Sequence, residues 1–195
     1  MNKITTVDLL IECFDGAEPF EQIGILKSIA IPKSHFEEYA TWKKGGYTRN
    51  CIARRDGFEF ILLCWDSGAA TPIHGHGGED CWIYQIEGSI KEKRYVEVET
   101  GCDITNESVL EEGGISYMHD RMGYHTIENN SEQVAMTLHV YANPIDYCKV
   151  YNEEAGFFEL KKMKGKIVLN NFASLIIHSL QLPYIATIDL SSNRK

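Results

Sequence analysis

Pro72-Ile73-His74-Gly75-His76-Gly77-Gly78-Glu79-Asp80-Cys81 is the stretch on which the fold reading turns. Successive side chains of an extended chain point to opposite sides, so His74 and His76 share one face. Both imidazoles can then meet one ion. The glycines at 75, 77 and 78 let backbone and ion come close. The competing reading is a pair of partly exposed histidines in a turn, so the surrounding sequence has to decide.

Working outward, Gly68 precedes the pair, Gly88 follows it, and Gly123-Tyr124-His125, with Asn129 beyond, offers a third imidazole. Phe58 to Trp65 and Cys81 to Ile86 are short apolar runs, while Ile90 to Val98 and Val134 to Tyr141 alternate with period two. Glycine-bearing turns at Gly57, Gly68, Gly88, Gly101 and Gly113-Gly114 separate them, the pattern of an all-β sandwich or barrel.

Before Gly46 the periodicity is helical. Val7, Leu10, Ile11 and Phe14 recur at helical spacing, with Thr5 or Thr6 as cap and Gly16 as stop. Pro19 opens a second helix carrying Ile23, Leu26 and Ile29, and Ser34 with Glu37 forms the capping box of a third that Gly45-Gly46 ends. No linker or repeat divides the chain. The expectation is one mainly β domain over 1–195, with a helical segment (1–45) packed on a β-barrel (46–195). Gly156 to Lys195, with its apolar pieces Ile167-Val168-Leu169 and Leu175-Ile176-Ile177, is expected to add strands to the same sheets.

Two further groups sit on candidate strands. In Thr137-Leu138-His139-Val140-Tyr141, parity puts a hydroxyl, an imidazole and a phenol on one face and the apolar pair on the other. That polar face is a hydrogen-bond relay or the half-exposed side of an ordinary strand. In Tyr47-Thr48-Arg49-Asn50, parity pairs Tyr47 with Arg49, whose planar fork suits a carboxylate.

Charge narrows the function classes. Lys and Arg number 19 against 28 Asp and Glu, a net charge of −9, which argues against nucleic acid or an anionic membrane as partner. No stretch approaches the ~20 apolar residues of a membrane span. Asp8 and Glu12 interrupt the first apolar stretch, unlike a signal peptide. A cytoplasmic protein with reduced thiols is expected. Its 6 cysteines (Cys13, Cys51, Cys64, Cys81, Cys102, Cys148) include no CxxC pair and read by default as buried small hydrophobes.

The order glycine, HxH, acidic residue, glycine, then glycine, histidine, asparagine is similar to the two motifs of the cupin superfamily. A cupin is a double-stranded β-helix, or jelly-roll barrel, with a metal in its mouth. One departure matters: the place of the usual Glu ligand falls on Cys81, with Glu79 and Asp80 too early. Three neutral histidines then leave the ion's charge uncompensated, which favours an anionic ligand such as a thiolate. Three histidines would also suit zinc.

Taken together, YTRN at 47–50, PIHGHGGEDC at 72–81, GYHTIEN at 123–129 and TLHVY at 137–141 resemble the cysteine dioxygenases (type I), cupin-type non-haem iron enzymes, from about Tyr47 to Cys148. The resemblance implies Fe(II) held by His74, His76 and His125. It implies a substrate carboxylate gripped by Arg49 with help from Tyr47, and a thioether crosslink between Cys81 and Tyr141. His139 would hydrogen-bond near the Tyr141 hydroxyl or the substrate carboxylate, and Thr137 stands where the family usually has Ser. The implied reaction takes L-cysteine and O2 to cysteine sulfinic acid, a step of cysteine catabolism that needs no external electron donor. The chain is expected to act as a monomer on a small thiol. The alternatives are a dioxygenase of 3-mercaptopropionate, whose members carry Gln where Arg49 stands, or of another small thiol, and a non-oxygenase metal-binding cupin that is an isomerase or ligand-binding module. His35, His119 and His178 read as surface or packing residues, with His119 the fallback ligand for His125.

Overall fold

The computed structural model describes residues 2–99, 101–163 and 166–167. Three helices come first among them: α1 (Val7–Phe14), α2 (Pro19–Lys27) and α3 (Ser34–Glu37). Eleven strands follow among the described residues: β1 (Tyr47–Arg55), β2 (Phe58–Trp65), β3 (Cys81–Glu87), β4 (Ile90–Val98), β5 (Gly101–Leu110), β6 (Ile115–Met118), β7 (Tyr124–Glu128), β8 (Ala135–Tyr141), β9 (Tyr147–Asn152), β10 (Phe157–Lys162) and β11 (Lys166–Ile167). One sheet runs β11-β1-β2-β8-β3-β6; the others are β5-β4-β7 and β10-β9. All these pairings are antiparallel except β1 with β11. Single bridges from His74 to His125 on β7 and to Val150 on β9 join the two smaller sheets into a second layer. The two layers make a cupin-type double-stranded β-helix.

Two cores explain why β2 and β8 are buried along their whole length. Phe58, Phe60, Leu62 and Cys64 on β2 share one core with Met136, Leu138 and Val140 on β8 and with the helices. Ile61, Leu63 and Trp65 on β2 share the other with Ala135 and Tyr141 on β8, Cys81 and Ile83 on β3, and Ile127 on β7. Strands covered on both faces read as continuous apolar runs. The polar face of Thr137, His139 and Tyr141 is therefore not half-exposed: all three side chains lie inside.

The helical segment closes the first core. Val7, Leu10 and Phe14 form the buried stripe of α1, capped by the Thr6 side chain, which accepts from Leu9 N–H. The Phe14 ring meets Phe58 and Phe60 at 5.7 and 4.9 Å between centroids.

The third helix departs from expectation. It ends at Glu37 rather than at Gly45-Gly46, and Ser34 does not cap it. The capping box belongs instead to α2, through Glu18 and Glu21. Beyond α3 the chain is tied sideways to β1: Thr41 Oγ1 donates to Asn50 Oδ1 (2.6 Å), and the Thr41 carbonyl accepts from Thr48 Oγ1. Those bonds satisfy groups that a continued helix would have paired along its own axis. Of the C-terminal stretch, Phe157–Lys162 pairs with β9 and Lys166–Ile167 with β1. The apolar pieces at Val168-Leu169 and Leu175-Ile176-Ile177 lie outside the described residues.

Leu10→Ala should cost about 2–5 kcal/mol, because a fully buried leucine is removed between α1 and the sheet. Urea unfolding checks this: the midpoint should fall with the slope unchanged.

Candidate metal centre

The imidazoles of His74, His76 and His125 meet between the two layers. One ligand atom from each lies within 4.8 Å of the others, and ring centroids are 4.7 to 5.6 Å apart. His74 and His125 exchange backbone hydrogen bonds of 3.0 Å in both directions, which locks the first ligand segment to β7. The HxH stretch is not a regular strand: only His74 pairs, and the chain turns at Gly77-Gly78.

Hydrogen bonds fix which ring nitrogens are free. His74 Nδ1–H donates to the Pro72 carbonyl at 3.0 Å, leaving Nε2 with its lone pair. His125 Nδ1–H donates to Glu92 Oε1 at 2.8 Å, and its buried Nε2 has no partner. The other Glu92 oxygen accepts from Ser116 Oγ (2.6 Å) and from Arg94 (3.2 Å). Both ring nitrogens of His76 are buried and unpartnered. The carbonyl behind His74 and the carboxylate behind His125 are the support expected of metal-ligating histidines.

Burial pushes the His74 pKa down to about 4 and holds His76 and His125 well below the usual histidine range, with the neighbouring imidazoles adding to the effect. All three are therefore neutral at pH 7, the form a metal needs. Orphaned buried nitrogens aimed at one point are costly without a cation, so the donor set fits a divalent transition metal.

Tyr141 links this cluster to Arg49. Its ring lies 6.1 Å from that of His76, and its hydroxyl lies within the field of the Arg49 guanidinium. Cys81 on β3 faces Tyr141 directly across the pairing with β8, and its thiol donates a long hydrogen bond of 3.9 Å to the Trp82 carbonyl. Burial raises the pKa of both thiol and phenol, so each keeps its proton at pH 7. Arg49 Nε is buried without a partner. Its side chain borders a cavity of about 500 Å³ shared with Tyr47 and Lys43, and another of about 160 Å³ shared with Glu59 and Arg54. Tyr47 packs on Trp65 at 4.9 Å between centroids.

The Trp65 indole N–H donates to Thr137 Oγ1 at 2.9 Å, and Thr137 Oγ1 lies 3.1 Å from His139 Nε2. An indole only donates, so one lone pair of the hydroxyl is taken. The hydroxyl proton remains free for His139 Nε2. Burial and the Arg49 charge keep His139 neutral as well.

Every residue singled out around the site is thus brought to one region. His119 is not: its Nδ1 accepts from Arg121 N–H at 3.0 Å in the turn before β7, outside the cluster. His178 lies outside the described residues. The glycines also have a part in packing. A Cβ on Gly75 would stand 2.8 Å from Asp120 Oδ1, and one on Gly77, where φ is +68°, would stand 2.7 Å from the Tyr147 carbonyl oxygen. Gly75 and Gly77 thus leave room for protein neighbours, while Gly78 (φ +89°) has nothing within 4 Å of the added Cβ.

Glu92, Asp120 and Trp65 were missed by motif reading. Glu92 had a signal: parity on β4 places it on the face of the buried Ile90, and an inward carboxylate needs a partner. The cysteines also divide. Cys51, Cys64, Cys81 and Cys148 are buried, but Cys13 and Cys102 are half-exposed, and all six are free. Iodoacetamide at pH 8 should modify Cys13 and Cys102 first and leave the other four unmodified in the folded protein. Peptide mass mapping checks this.

The model of the family described as cysteine dioxygenase type I matches residues 7–154. Cysteine dioxygenase type 1 of Danio rerio is 30% identical over 155 residues, covering 76% of this chain and 77% of that protein. That of Homo sapiens is 28% identical over 157 residues, covering 77% and 78%. That of Bos taurus is 26% identical over 194 residues, covering 96% and 92%. Among solved structures, the TT1209 protein of Thermus thermophilus superposes with a TM-score of 0.46 at 22% identity, over 55% of this chain and 93% of that one. The match to the family model runs from α1 through β9 and takes in the histidine cluster, Arg49, Cys81 and Tyr141, so the chain belongs to the cysteine dioxygenase type I family.

Proposed function

We propose that this chain is a thiol dioxygenase that converts L-cysteine and O2 to cysteine sulfinic acid, with Fe(II) held by His74, His76 and His125. The observation that carries the reading is the convergence of three neutral imidazoles beside the Arg49–Tyr141 pair. Iron(II), when bound, supplies open positions for thiolate and dioxygen and the redox chemistry between them. The protein's own part is charge, orientation and proton placement.

Three neutral ligands leave the ion's positive charge unbalanced, which lowers the thiol pKa of an incoming substrate. Arg49 has an unpartnered Nε for the substrate carboxylate, and a charge-assisted contact there fixes how the thiol is presented. Tyr141 keeps its phenolic proton and can donate it as a hydrogen bond to the reacting oxygens or the substrate. The Trp65–Thr137–His139 chain holds the neighbouring imidazole still. Both atoms of O2 end on sulfur, so the reaction balances without an outside reductant.

Facing positions on β3 and β8 support a Cys81–Tyr141 thioether. Forming it removes the thiol hydrogen and one ring hydrogen, with O2 taking the two electrons and two protons. The thioether would fix the Tyr141 ring as a protein-derived cofactor. The free thiols and the absence of any long apolar helix among the described residues fit action in the cytoplasm on a dissolved small molecule.

Oxygen uptake by the Fe(II)-loaded protein tests the substrate. L-Cysteine should give the higher kcat/KM; equal or better turnover of 3-mercaptopropionate overturns the cysteine assignment. Arg49→Gln should raise the cysteine KM roughly 10- to 100-fold, the loss of one charge-assisted pair. An unchanged KM removes Arg49 from the carboxylate role. Intact mass tests the crosslink: the active protein should be lighter by two hydrogens with the other thiols reduced, and Cys81→Ser should abolish the deficit.

A further inference from the structure

Of the three clustered imidazoles, His76 alone lacks a hydrogen-bonded group behind its ring. The carboxylate beside it is Asp120. Asp120 Oδ1 accepts from the His76 backbone N–H at 2.5 Å, and Oδ2 accepts from Gly78 N–H at 2.8 Å. The same Oδ1 lies 3.8 Å from His76 Nδ1. We propose that Asp120 is a positioning residue for the metal site: it clamps the His74–Gly78 segment through two backbone amides and sets a carboxylate oxygen on the Nδ1 side of the His76 ring, which leaves Nε2 for the cluster with His74 and His125. This rests on the metal-site reading above and extends it to a residue outside the ligand set.

The clamp is mechanically well placed. Asp120 opens a short 3₁₀ turn, Asp120–Met122, which leads directly into β7 and His125. That turn is closed by Met122 N–H to the His119 carbonyl and by the His119 side chain on Arg121 N–H. The ligand segment is therefore held to the β7 region twice, at His74 by the backbone pair with His125 and at His76 by Asp120. Gly75 belongs to the same device, because a Cβ there would press on the Asp120 carboxylate at 2.8 Å. The Asp120 side chain keeps 28% of its surface in solvent, so it is only partly desolvated. Anionic support behind a ligating imidazole raises its basicity and holds its orientation.

Co(II) titration of the apoprotein, read by visible absorption, tests this. Asp120→Asn should weaken Co(II) binding on the order of 10- to 100-fold and shift the ligand-field bands at saturating Co(II), while leaving the Ser116–Glu92–His125 side of the site intact. Gly75→Ala, which displaces the carboxylate without removing its charge, should weaken binding in the same direction. A merely structural staple would lower the melting temperature of the apoprotein but leave the saturated Co(II) spectrum unchanged. Wild-type affinity with an unaltered spectrum in Asp120→Asn overturns the proposal while the metal site stands. Failure of the wild-type protein to bind Co(II) and Fe(II) overturns the metal-site reading and this proposal with it.

Discussion

Three imidazoles are buried, uncharged and turned toward one another, and this constraint organises the rest of the molecule. An unsatisfied buried polar atom costs about 1–3 kcal/mol, so the unpartnered nitrogens of His76 and His125 are tolerable only for something they can bind. The other side of the site is already committed. The Pro72 carbonyl accepts a hydrogen bond from His74 Nδ1–H, Glu92 accepts one from His125 Nδ1–H, and Arg94 and Ser116 hold Glu92 in turn. On His74 and His125 the free lone pairs are what remains once the other ring nitrogen has been bonded.

The same strands serve packing and chemistry by giving each job one face. Phe60, Leu62, Leu138 and Val140 look toward the helices; Trp65, Thr137, His139 and Tyr141 look inward from the same two strands. Shifting either strand by one residue would exchange apolar and reactive side chains wholesale. The pairing of β8 with β2 and β3 therefore does more than stabilise a sheet. It sets Cys81 opposite Tyr141 and brings Glu59 to that tyrosine's other side. Dense cores on both faces hold this register, and their cost of disruption is what keeps the site's geometry narrow.

Much of this was legible in the sequence, for identifiable reasons. The HxH pair and strand parity in TLHVY and YTRN follow from covalent geometry alone, so the residues they group do end on shared faces. Local reading failed where distant partners decide. Ser34 and Glu37 have the spelling of a capping box, yet α3 stops after one turn because Thr41 is drawn to β1. Gly75 and Gly77 also make room for Asp120 and Tyr147, which are remote in sequence and leave no mark on the motif. Cys13 and Cys102 carry no local mark that separates their exposure from that of the four buried thiols.

The central claim is that these histidines form one metal site whose occupancy stabilises the folded state. Scanning calorimetry of the apoprotein during Fe(II) addition under anaerobic conditions tests it most directly, since a ligand that binds only the folded state raises the melting temperature by mass action. The account predicts a melting temperature that climbs with the concentration of free iron, and a climb that is lost in His76→Ala. An unchanged melting temperature, or an equal rise in the His76→Ala protein, would contradict it.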